Sequence, residues 1–237
     1  MEQILLSSAN SVPVILQYNN YVTSHEELIR EMRSLIADFR LTDFEKRIND
    51  GLSLNDIAEE LRKVRELLRP YHVKAERMQA GLRPQEHFFR PDSGKKYDLT
   101  GLEPHEFFPY SPIIGPLNPI SPPFTFRMEK DVMLANGNFD SQYCGPPESV
   151  HGGHVAALMD ELLGVTCVVT GHGGYTGTLT VRYISPTPLD KNLQGKAWVK
   201  EIKDRKAIIR GELRDGDQLC AEAEGLFIKP KEDFGSK

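Results

Sequence analysis

The run Val155-Ala156-Ala157-Leu158-Met159-Asp160-Glu161-Leu162-Leu163-Gly164-Val165-Thr166-Cys167-Val168-Val169 is the most apolar stretch of the chain, yet two carboxylates stand at its centre. It is shorter than the roughly 20 residues a bilayer span needs, and charges at mid-depth would be costly there. Apolar side chains on nearly every face instead predict a helix over 153–170 buried inside a protein. Something has to cover that helix.

The covering material follows in the sequence. Strand patterns are expected at 176–184, 193–202, 207–213 and 218–228, separated by Ser185-Pro186-Thr187-Pro188, Asp204-Arg205-Lys206 and Asp215-Gly216-Asp217. In the last of them Leu219, Ala221, Ala223, Gly225 and Phe227 share a buried face, and Cys220, Glu222 and Glu224 share the other. Upstream, Phe124, Phe126 and Met128 alternate with polar residues, and 139–143 is expected to be the next strand before the loop Gly145-Pro146-Pro147-Glu148-Ser149. One all-apolar helix among consecutive antiparallel strands implies an α+β domain in which a curled sheet wraps the helix, the hotdog arrangement. The expected organisation is an N-terminal helical extension over 1–69, a proline- and aromatic-rich arm over 70–123, the hotdog domain over 124–230 and a tail over 231–237.

The extension reads as two helices. Leu28, Met32, Leu35, Ile36 and Phe39 recur at helical spacing between Ser24 and Ile48 behind a Thr23/Ser24 cap, and Ile57, Leu61, Val64 and Leu68 follow Ser53 until Pro70 ends the pattern. Ten of the sixteen prolines then fall within 70–123, interleaved with aromatics, which suits an extended segment laid over another surface better than disorder.

Composition narrows the function. A net charge of −5 argues against a nucleic-acid binder. Cys144, Cys167 and Cys220 are odd in number and far apart, so neither a disulfide framework nor a zinc site is expected and the thiols read as reduced, in a cytoplasmic protein. The first sixteen residues lack the pattern of a secretory signal.

The chemistry concentrates in Val150-His151-Gly152-Gly153-His154 and the acid nine positions after His151, which is Asp160. Two glycines at a helix start allow close backbone approach and present N–H groups at the positive end of the dipole, as an oxyanion requires. Gly152 is the first choice of donor and Gly153 the second. Asp160 shares a face with the small residues Gly153, Ala156, Ala157, Gly164 and Cys167, and an ionised carboxylate there is either satisfied structurally or kept for work. Glu161 points about 100° away and is expected to make an ion pair or an interface. His151, His154 and Asp160 lack a catalytic-zinc spacing, so no metal is assigned.

This segment resembles the signature of the PaaI-type acyl-CoA thioesterases of the 4HBT superfamily. Further stretches join the resemblance: Gly115-Pro116-Leu117-Asn118-Pro119-Ile120, Tyr143-Cys144-Gly145-Pro146-Pro147, and Thr176-Gly177-Thr178-Leu179-Thr180-Val181-Arg182-Tyr183. The family implies a thioester hydrolase with acyl-CoA as substrate and no cofactor. Asp160 would activate water or attack directly, and Thr176, or failing it Thr178, would hold the water. His151 would orient the loop as a neutral imidazole. Arg182, with Lys203 and Arg205, is a candidate for the CoA phosphates, although each of these residue types is commonly a solvated strand or turn residue. The Asn or Gln that many relatives carry shortly before His-Gly-Gly is replaced by Gly145-Pro146-Pro147-Glu148-Ser149, with Gln142 further back. Two other readings stay open: an acyl-CoA-binding module without turnover, and a hotdog hydratase or dehydratase, for which Asn118-Pro119 lacks the accompanying Asp and His.

Helix geometry adds a partner. Gly153 and Asp160 lie about 10 Å apart along one helix, whereas one thioester carbonyl must lie about 3 Å from both donor and attacker. Two antiparallel helices meeting along Ala156, Ala157, Asp160 and Gly164 solve this, so a homodimer with shared sites, or a dimer of dimers (a homotetramer) as the resemblance implies, is expected.

Overall fold

The computed structural model describes residues 14–51, 53–72, 74, 79 and 103–230. The chain begins with helices Val14–Leu41 (α1), Phe44–Asn49 (α2) and Leu54–Leu68 (α3), and a short helix Pro104–Phe107 (α4) follows in the arm. The cap expected at Thr23/Ser24 is not a helix start, because α1 passes through both residues. A cap bond has to compete with one added backbone bond per residue in an existing helix, and there propagation wins. The single helix expected as far as Ile48 is broken after Leu41. Thr42 donates to the Asp38 carbonyl, and Asp43 accepts from the Lys46 N–H at 3.0 Å, capping α2. α3 starts on the expected Ser53 cap and ends in a 3-10 turn carrying Pro70.

Strands Thr125–Glu129 (β1) and Val132–Gly137 (β2) form a hairpin through Lys130-Asp131, with Lys130 at φ 55°. The strand expected at 139–143 is not one. Ser141–Tyr143 is a 3-10 turn, and β2 is the element the sequence concealed. Helix Gly152–Val169 (α5) follows, and then strands Tyr175–Tyr183 (β3), Leu193–Lys203 (β4), Lys206–Asp215 (β5) and Gln218–Ile228 (β6). All pairings are antiparallel, in the order β1-β2-β4-β5-β6-β3.

This sheet curls around α5, whose Leu158, Met159, Leu162 and Leu163 are fully buried against Met133, Ala197, Ile209 and Leu213. The close approach needs missing side chains: a Cβ at Gly211 would stand 2.8 Å from Leu163 Cδ1, and one at Gly195 would stand 3.1 Å from Leu162 Cδ2. The hotdog fold is therefore present. On β6 the expected inner face is buried at Ala221, Ala223, Gly225 and Phe227, but Leu219 is only half-buried and Cys220 is buried instead, because the register slips between Leu213 and Arg214 opposite them. By length and composition α5 also qualifies as a membrane span, but the sheet wraps it.

The described part of the arm is clamped between α1 and the domain. Arg33 Nη2 donates to the carbonyls of Gly115 (3.0 Å) and Asn118 (2.9 Å) and to Ser121 Oγ (2.8 Å). Ile29 is buried one turn earlier on the same helix, whereas α3 has no buried residue. Most of 73–102 and the tail 231–237 lie outside the described residues.

Candidate active site

His151 caps α5 with its ring. Its Nδ1 accepts the Gly153 N–H at 3.0 Å, its own N–H donates to the Tyr143 carbonyl at 2.8 Å, and its carbonyl accepts the His154 N–H. Nδ1 is thus unprotonated in this geometry. Gly153, the second-choice donor, is committed to the cap, whereas the Gly152 N–H, the first of the helix, makes no hydrogen bond among the described residues. Two further contacts fix the helix start. The Tyr183 hydroxyl donates to the Gly152 carbonyl at 2.9 Å, and the chain at Gly145 passes so close to His151 that a Cβ there would lie 2.7 Å from the His151 Cα.

Two turns further along, Asp160 is half-buried, and Thr176 Oγ1 on β3 donates to its Oδ1 at 3.0 Å. The two residues meet because β3 runs beside α5 and because the strand register shifts between Thr176 and Thr178, a bulge that re-aims side chains. Thr178 lies beyond the bulge and is exposed. Arg182 is ion-paired with Glu222, and Arg205 donates to the Lys229 carbonyl, so neither is brought to Asp160. Ala156, Ala157, Asp160 and Gly164 stay only partly covered, whereas Cys167, expected on that face, is buried and its thiol pushed up to about 11 by burial.

Of the ion pair or interface expected for Glu161, the ion pair is not found among the described residues. Glu161 is enclosed by the arm, where Ser111 Oγ donates to its Oε1 at 2.6 Å. Burial raises its pKa, the Ser111 bond partly offsets this, and the nearby Asp160 charge raises it further. His154 is held below the ordinary imidazole range, first by burial and then by His151, and is neutral at pH 7. Among the described residues no cluster of three metal-ligating side chains occurs. Asn118 is spent on turn geometry, accepting from the Ile120 N–H and donating to the Tyr110 carbonyl.

Tyr183 and Ser111 escaped the sequence reading as site residues. Tyr183 had a signal, since it closes the motif that begins at Thr176; Ser111 had none.

Residues 148–222 match the family model described as thioesterase superfamily, a stretch that includes the cap, Asp160 and Thr176. This part of the chain is similar to the thioesterase superfamily. A solved thioesterase superfamily protein is similar over 86% of this chain and 94% of its own, with TM-score 0.69 and 26% identity, so the shared fold includes the N-terminal helical part. Acyl-coenzyme A thioesterase THEM4 of Xenopus laevis is 37% identical over 87 residues, 36% of this chain and 39% of the relative. Acyl-coenzyme A thioesterase THEM5 of Homo sapiens is 31% identical over 87 residues, 36% of this chain and 35% of the relative. The match therefore spans well under half the length of these two relatives.

Proposed function

We propose that this chain hydrolyses acyl-CoA thioesters to the free acid and CoA. The observation that supports this best is the Thr176–Asp160 hydrogen bond, on a partly covered face of the helix that begins at Gly152. Water adds to the thioester carbonyl as Asp160 takes its proton, or Asp160 attacks directly and water then hydrolyses the resulting anhydride. The Gly152 N–H stabilises the oxyanion in either case, the C–S bond breaks, and the CoA sulfur leaves as thiolate and is protonated. Thr176 donates to one carboxylate oxygen and so fixes its orientation, while its own lone pairs remain to accept from the water.

The working unit in this reading is a dimer. β3 lies at the sheet edge, is exposed along most of its length and adjoins the small-residue face of α5. A nine-residue exposed edge is a liability unless paired. Pairing it with β3 of a second copy sets the two α5 helices side by side and brings Gly152 of one chain toward Asp160 of the other. A hydratase reading is disfavoured by the structural commitment of Asn118.

The test is a panel of acyl-CoA esters with free-thiol detection on the purified full chain. Release of thiol at a rate proportional to enzyme is expected. Tight acyl-CoA binding without release would identify a binding module instead.

A further inference from the structure

A pocket of about 340 Å³ lies beside the first turn of α5, and its walls come from four separate pieces of chain. Ile36 of α1, Ile113 and Ile120 of the arm and Phe139 of the loop before the cap make it apolar. Its inner wall is Tyr143 and His154, whose rings meet edge-on at 5.1 Å, and the His154 ring in turn stands 6.1 Å from that of His151. Tyr143 is also the residue whose carbonyl holds the His151 N–H. The wall of the pocket thus adjoins the support of the helix start, through the Tyr143 backbone carbonyl and the His151–His154 ring contact. Gln142 completes the lining, with its Oε1 buried away from the cavity.

We infer that this pocket receives the acyl group of the substrate, and that the N-terminal helix α1 supplies its outer wall and thereby limits acyl length. The inference rests on the hydrolase reading above. An acyl chain whose carbonyl sits at the Gly152 N–H has two ways to leave the helix tip: back toward solvent with the CoA, or into this pocket. Apolar walls favour the second for the hydrocarbon. The matched family segment begins at residue 148, so Ile36, Ile113, Ile120 and Gln142 all lie outside it, and the selectivity is carried by parts of the chain that the family model does not cover.

The experiment compares acetyl- and hexanoyl-CoA on the wild type, Ile36→Trp and Ile36→Ala, with Tm measured for each. Ile36 is partly exposed, so a larger side chain has room to be accommodated while intruding on the pocket mouth. The hexanoyl-to-acetyl ratio of kcat/KM is expected to fall by at least about tenfold in Ile36→Trp and to rise or hold in Ile36→Ala. Ratios that stay the same in folded Ile36 variants would overturn the inference. Calorimetric binding of hexanoate separates the two levels. If the wild type releases no thiol yet binds this acid, and Ile36→Trp does not, the pocket assignment stands and the hydrolase reading fails; no binding to the wild type overturns the pocket.

Discussion

Asp160 and Thr176 are sixteen residues apart in the chain and 3.0 Å apart in space, and each was legible for its own reason. Asp160 stood out because a carboxylate inside an apolar helix needs an explanation. Thr176 stood out because it opens the strand motif after that helix. Their contact was not legible, since it depends on the bulge at Gly177. Thr176→Ala removes one hydrogen bond to the carboxylate, and kcat should fall about tenfold, or about 1.4 kcal/mol, with KM little changed. Steady-state kinetics check this; an unchanged kcat would leave Thr176 as an ordinary strand residue. Glu161 offers a pH test. Its carboxyl pKa is raised in the folded chain, so the native state binds the proton more tightly than the unfolded chain does. The stability it contributes is complete below the ordinary glutamate range and is lost as pH rises through the folded value. Glu161→Gln keeps the acceptor for Ser111 without the charge. It should be more stable than the wild type at pH 7, with the difference shrinking as pH is lowered toward 4.5, in denaturant midpoints measured across that window. A difference independent of pH would contradict the assignment.

At the level of elements, the buried helix and the four strands after it were readable because length, apolarity and turn residues all agreed. β2 was not. Val132-Met133-Leu134-Ala135 is a short continuous apolar run without a clear period, and its turn uses Lys130 at φ 55° where glycine or asparagine would have signalled it. The arm was legible as extended, but its purpose required the contact between Arg33 and carbonyls more than eighty residues away. That contact makes a prediction. Arg33→Ala leaves the 115–121 turn without its clamp, and a part-buried charged donor to neutral acceptors is worth roughly 2–3 kcal/mol. Stability should drop by that amount, and limited proteolysis should cut within α1 faster than in the wild type. An unchanged denaturant midpoint would mean that α1 is held by apolar contacts alone.

For the whole molecule, the account requires two chains, because the N–H of Gly152 and the Asp160 carboxylate sit two turns apart on one helix. A mixing experiment separates shared from self-contained sites. Gly152 is the first helical residue, where proline is favoured, and His151 at φ −60° and ψ 130° has the conformation preferred before proline, so Gly152→Pro removes the donor with little backbone cost. Mixed with Asp160→Asn chains, it should form heterodimers in which one site keeps both groups, and activity should reappear. Verified heterodimers with no activity would place donor and carboxylate in the same chain. The most direct measurement for the central claim is simpler. On the acyl-CoA ester that the wild type hydrolyses best, Asp160→Asn should lower kcat by about a hundredfold or more with Tm preserved, because the amide can neither accept the proton nor attack. A folded Asp160→Asn protein that hydrolyses the ester at the wild-type rate would contradict the account.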